Sequence, residues 1–174
     1  MSKFNQFNQN RKFIRGEVYN VNFPKEPKFG KEDSRMLEGV HRAVVLFDST
    51  FPRKTVVVLP ITSLYLDKTT TKNTISSDVV LKRLEYTGLN GKEQIHNNTI
   101  TRDSFVMTNQ IRSISRNHLQ QFKGKILDKD MIKIDLQLIN VLSLQETIEE
   151  IIEQRVEERL LEIVEQQDIE NKQD

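Results

Sequence analysis

The sequence contains no cysteine. That excludes disulfides, thiol nucleophiles and thiolate metal sites together, and it fits a reducing, cytoplasmic setting. No apolar run reaches the roughly 18 residues that a membrane-spanning helix needs, so no membrane association is expected. The opening MSKFNQFNQN lacks the apolar stretch of a secretory signal. Neither Gly-x-x-x-x-Gly-Lys nor Gly-x-Gly-x-x-Gly occurs, which argues against a nucleotide-cradling loop. His41, His96 and His118 are scattered without ligand spacing, and no close cluster of Asp and Glu suggests a two-metal nuclease. No metal and no cofactor is implied.

What is present suits one compact domain with an appendage. The chain has 174 residues, 36% of them hydrophobic and 29% charged, enough for one modest core. Its net charge of +1 hides an asymmetry. Residues 146–174 hold eleven acids against three bases, a net −8, and the other 23 bases and 14 acids leave residues 1–145 at +9. A basic body suggests a polyanion-binding domain, and an acidic tail is something able to mimic or repel that polyanion. A plain solvated helix is the commoner explanation of such a tail.

The pattern along the chain predicts strands first and helices last. Residues 1–13 are polar and Asn/Gln-rich, and are expected to be mobile. Tyr19, Val21 and Phe23 share one face at period two, which predicts a half-buried strand ended by Pro24. Residues 24–41 read as a long loop. Ala43–Phe47 and Val56–Leu59 are short, continuous and β-branched, as in strands buried on both faces. The connector from Asp48 to Lys54 has turn chemistry, and residues 66–77 read as a surface loop. Val79–Leu81 is a further strand, and residues 83–103 are a second long loop or an excursion with its own hairpin. Strands are expected at Phe105–Met107, near Ile111–Ile114, and at Phe122–Leu127, with a short helix capped by Ser115. Asp128 opens a helix to about Leu142, and a second, acidic amphipathic helix runs from about Gln145 to Gln167. Strands followed by helices argue for an α+β fold around a small barrel or coiled antiparallel sheet.

With the standard sites excluded, hydroxyl and guanidinium chemistry remains. Arg42 opens one apolar strand and Thr62-Ser63 closes the next. Taken alone, each is more commonly an ordinary strand end.

At these residues the chain resembles the MazF/PemK toxin family. Ile14-Arg15-Gly16-Glu17-Val18-Tyr19 is similar to its Arg-Gly-Asp/Glu-hydrophobic opening. Gly39-Val40-His41-Arg42-Ala43-Val44-Val45-Leu46 resembles its Gly-x-Arg-Pro-Val-Val-Val block. Thr55 to Ser63 looks like its Val-x-Pro-Ile-Thr-Ser block, and Asn109 to Ile114 its Glu-Gln-Ile-Arg-Thr-Ile block. Lys125-Ile126-Leu127-Asp128 leads into a closing helix, as in the family. The blocks match in order and approximate spacing over residues 14–142.

The resemblance implies a small SH3-like coiled antiparallel β-barrel of MazF/CcdB type with C-terminal helices, spanning residues 14–144. Residues 145–174 are then an added acidic helix. The resemblance further implies a homodimer, an antitoxin partner, and cleavage of single-stranded RNA, mRNA above all, at short sequences. Cleavage would proceed by attack of a ribose 2′-hydroxyl on the adjacent phosphate, without a metal ion. Arg42 carries over as the cation on the phosphate, since its planar donor fork stays charged at any working pH. Thr62 carries over as a positioning hydroxyl. Glu38 is the nearest match to the family's loop acid, and Ser63 supports the site. Arg53 and Lys54 are candidates to grip flanking phosphates, or are simply solvated turn residues. His41, with an ordinary pKa of about 6.5, is a candidate proton acceptor or a plain loop histidine.

Two departures narrow this reading. Ala43 replaces the proline that follows the key arginine. Met107 and Asn109 stand where the Kid branch has an Arg-x-Asp pair, so the chemistry is expected to centre on Arg42 and Thr62. A non-catalytic RNA- or protein-binding module is the alternative; a gyrase poison on the same fold is disfavoured by the Arg42 and Thr62 blocks. The acidic helix has three open readings: pairing with its copy, anchoring another protein, or folding onto the basic groove.

Overall fold

The computed structural model describes residues 11–25, 37–50, 52–67 and 70–170, with side chains to residue 167. The expected mobile start of the chain up to residue 10, and the middle of the loop 24–41, lie outside the described residues. The chain divides into two compact units, residues 1–138 and 139–174.

Seven strands form one antiparallel sheet: β1 (Glu17–Phe23), β2 (Gly39–Val45), β3 (Thr55–Ser63), β4 (Asp78–Leu81), β5 (Ser104–Met107), β6 (Arg112–Ser115) and β7 (Leu119–Lys125). Their order is β4-β5-β3-β2-β1-β7, with β6 also paired to β3. The path does not join its ends, so the sheet is coiled and barrel-like but not closed. β3 is the hub. Its first half pairs with β6, its last three residues pair with β5, and its other edge pairs with β2 through Arg42↔Ile61 to Val45↔Val58.

The continuous apolar runs of β2 and β3 arise because both faces of the sheet are covered. Val44, Leu59 and Ile61 join Val18, Val106 and Ile126 on one side, where Met131 and Ile134 of helix α1 (Asp128–Val141) cap the core. Ala43, Val45, Val56 and Val58 join Tyr19, Val21 and Phe23 in a second core. Phe13 belongs to that second core. It is fully buried and bridges to Ser49, so the packed body reaches into the segment expected to be mobile.

Three expectations change. β2 starts at Gly39, which places His41 and Arg42 inside a strand; Gly39 meets the turn into it at φ +78, a conformation costly for any residue with a Cβ. Residues 83–103 hold two 3-10 helices, Arg83–Tyr86 and Gly91–His96, in place of a hairpin. The capped helix after Ser115 is a single 3-10 turn, Arg116–His118, and β7 begins directly after it.

The excursion between β4 and β5 is held at two points. The buried Tyr86 hydroxyl donates to Asp130 Oδ2 at 2.7 Å, and Lys133 Nζ reaches Asp130 Oδ1 at 2.7 Å, so a carboxylate only 1% exposed keeps two partners. The second point is Gly124 at φ +126, where β7 passes so close to Thr99 that a Cβ would lie 2.1 Å from Thr99 Oγ1.

The second unit contains helix α2 (Gln145–Glu170). Ile151, Ile152, Val156, Leu160 and Leu161 are all more than half exposed. At 100° per residue, Arg155 and Arg159 project between Ile151 and Ile152, and Leu161 falls on the far side, so charge interrupts the apolar stripe that the spacing suggests. Among the described residues no helix is long and apolar enough to cross a membrane.

Candidate active site

A cleft of about 470 Å³ opens where β2 and the end of β3 meet two connecting segments. Arg42 and His41 line it from β2, Thr62 and Ser63 from β3, Lys72 from the β3–β4 connection and Arg102 from the run into β5. Leu64 fixes both connections beside the end of β3. Its carbonyl accepts from the Lys72 N–H at 2.7 Å, and its N–H donates to the Asp103 carbonyl at 2.9 Å.

Arg42 and Thr62 reach the cleft from opposite faces of their strands. Arg42 shares the face of Val44, whereas Thr62 follows Val58 and Pro60 on the other. The β2–β3 pairing ends at Arg42↔Ile61, and the next residue on each strand, His41 and Thr62, lines the cleft. Arg42 is held by its Nη1 donating to the Thr99 carbonyl at 2.6 Å. The close packing of Gly124 on Thr99 therefore fixes the acceptor that orients the arginine. Thr62 is 6% exposed, and its Oγ1 accepts from Lys72 Nζ at 2.9 Å. Ser63 Oγ accepts from the Tyr65 N–H at 3.2 Å, which shapes the exit from β3.

The electrostatics of the cleft are one-signed. Among the described residues that line it, none is Asp or Glu. Asp103, next to Arg102, is turned to the Arg83 N–H at 2.9 Å and to Lys82 at 3.8 Å. Burial, and then the charge of Arg102, lowers the pKa of Arg42 and that of Lys72. Burial also lowers His41; a hydrogen bond to the Glu38 backbone opposes this, and the charges of Lys72 and Arg112 add to it. Arg102, which disfavours the charge of both Arg42 and Lys72, and an imidazole whose protonation burial disfavours form with them a site suited to an anion with distributed charge, such as a phosphodiester.

The other sequence candidates are placed less centrally. Glu38 precedes β2 and contacts His41 through its backbone, but is not among the lining residues. Arg53 and Lys54 are exposed at the opposite end of β3, eight residues along the strand and on the order of 25 Å from Thr62. Their carbonyls accept from Arg116, at 3.2 Å from its Nη1 and 3.0 Å from its backbone N–H. Arg112, in the Gln-Ile-Arg block, clasps the approach to β2: Nη1 donates to the Leu37 carbonyl at 2.9 Å and the guanidinium covers the Phe23 ring. Met107 is buried among core residues. The sequence reading misses Lys72 and Arg102. Both sit in aperiodic segments, and only the fold brings them to Thr62 and Arg42. Among the described residues no group of three His, Asp or Glu is placed to hold a metal ion.

A coiled antiparallel sheet with a cationic cleft at one end defines a small barrel-like fold with C-terminal helices. The family model for the PemK-like, MazF-like toxins of type II toxin–antitoxin systems matches residues 14–142, and the chain belongs to that family. Among solved structures it is similar to MazF from Deinococcus radiodurans, at 14% identity over 77% of this chain and 99% of that one, with a TM-score of 0.50. It is also similar to an endoribonuclease from a mycobacterial species (16% identity, 78% and 96% covered, TM-score 0.49). A mycobacterial endoribonuclease in complex with its cognate antitoxin is a third such structure (17% identity, 75% and 95% covered, TM-score 0.47). No curated protein sequence matches the chain.

Proposed function

We propose that the chain is a toxin endoribonuclease that cuts single-stranded RNA, including mRNA, at short sequences in the cytoplasm, acts as a homodimer and is inhibited by an antitoxin. The observation that carries the reading is the cleft itself: Arg42, Lys72 and Arg102 beside the Thr62 hydroxyl, with no carboxylate among the described residues that line it. A phosphodiester brings the missing negative charge. Arg42 stabilises the phosphorane formed as the 2′-oxygen attacks, Thr62 orients the phosphate, and neutral His41 takes the 2′-proton. None of these roles requires a metal ion. Ser63 and Glu38 act by shaping the backbone around Thr62 and His41, and Arg53 and Lys54 contact RNA only where it runs beyond the cleft. An acidic antitoxin segment suits the same cationic surface.

Incubation with mixed single-stranded RNA in EDTA tests this. Discrete cuts are expected, with Arg42→Ala slower by about 100- to 1000-fold; cuts of undiminished rate in that variant remove Arg42 from the mechanism. A second reading, RNA binding without cleavage, is favoured by Met107 and Asn109 in place of an acid–base pair. Tight binding with no cuts selects it.

A further inference from the structure

We propose that Lys72 is a catalytic residue of this site, the acid that protonates the departing 5′-oxygen of the cleaved phosphodiester. The role rests on the ribonuclease reading above and adds to it the proton donor that the sequence does not reveal.

Three observations converge on this lysine. Its Nζ lies 2.9 Å from Thr62 Oγ1, the hydroxyl assigned to the scissile phosphate, so the ammonium reaches the same group. Its backbone is tied to the end of β3 by the 2.7 Å bond to the Leu64 carbonyl, which makes its position a property of the sheet. Among the described residues that line the cleft, no carboxylate neutralises it there. Among the described residues of the cleft, the charged and titratable groups around it are Arg102 from the run into β5 and His41 from β2, with Tyr65 nearby on its own connection. Burial and the charge of Arg102 make the ammonium a stronger acid than an exposed lysine, while burial first and then the charge of Lys72 disfavour protonation of His41. One neutral acceptor and one protonated donor are what the reaction needs.

The step balances. The 2′-hydroxyl gives its proton to the His41 imidazole, the 2′-oxygen bonds to phosphorus, and the phosphorus–5′-oxygen bond breaks. The 5′-oxygen leaves with a proton from Lys72, giving a 2′,3′-cyclic phosphate and a 5′-hydroxyl. Proton exchange with water then resets both side chains.

A leaving group that needs no proton tests the assignment. An RNA is made with sulfur replacing the bridging 5′-oxygen at a mapped cut site, and cleavage is compared with that of the all-oxygen RNA for the wild type, Lys72→Gln and Lys72→Arg. Both variants should cut the oxygen substrate about 100-fold more slowly and the sulfur substrate within a few-fold of wild type. Arginine keeps the charge but does not give up its proton, so its failure on oxygen separates acid catalysis from charge. His41→Gln should be slow on both substrates. Equal slowing of the Lys72 variants on both substrates, or none on either, overturns the acid role. If the wild type cuts no RNA, the ribonuclease reading fails and the assignment with it.

Discussion

At the scale of residues, the proposed chemistry rests on groups held by a few short contacts. Arg42→Lys should behave almost as Arg42→Ala, because one ammonium cannot both bond the Thr99 carbonyl and fork a phosphate; steady-state cleavage rates check this. Thr62→Val keeps shape but loses the acceptor for Lys72, and should slow cleavage about 100-fold with an unchanged melting temperature. His41 also makes stability depend on pH. Because its folded pKa is lowered, the unfolded chain takes up the proton first on acidification. The stability from this group is complete above about pH 6.5 and is lost as the pH falls through the lower folded value. Urea unfolding of His41→Gln should therefore show a shallower acid loss than wild type.

At the scale of elements, the excursion between β4 and β5 is the support of the site. Tyr86→Phe leaves Asp130 with Lys133 alone and should cost about 1–3 kcal/mol in urea unfolding. Gly124→Ala should act farther, since the new Cβ meets Thr99 Oγ1 and the Ile95 carbonyl, and φ is already +126. It should lower both stability and kcat by displacing the carbonyl that holds Arg42. Thr99→Val probes the same place with the opposite sign. Thr99 Oγ1 is buried without a hydrogen-bond partner among the described residues, so its removal should stabilise the fold by about 1 kcal/mol and leave cleavage intact.

These elements also show what the sequence makes legible. The apolar runs around Val44 and Val57 announce strands covered on both faces, and the spacing of Met131, Ile134 and Leu138 announces the closing helix. Arg42 and Thr62 are legible because each ends or opens such a run within a family block. Lys72 and Arg102 are not, because residues 66–77 and 83–103 have no periodicity to tie a side chain to a face. The helical hydrogen bonds at 83–86 and 91–96 are short-range, and Gly and Asn there suggested a hairpin turn equally well. Arg53 and Lys54 looked close to the site only because β3 is short in sequence; as an extended strand it separates its ends by the width of the sheet.

At the scale of the whole molecule, charge is divided between a +9 body and a −8 tail. Deleting residues 145–174 should speed association with RNA at low salt, and the gain should fade near 1 M salt, where the screening length falls to about 3 Å. Stopped-flow binding across a salt series measures it. The central claim concerns the body. It is that a cleft of Arg42, Thr62, His41 and Lys72 directs a ribose 2′-hydroxyl against its neighbouring phosphate. The most direct measurement replaces that single hydroxyl by hydrogen at a mapped cut site and follows cleavage in EDTA. Abolished cleavage at that position, with cyclic phosphate ends on the unmodified RNA, is the predicted result. Continued cleavage of the 2′-deoxy position would contradict it.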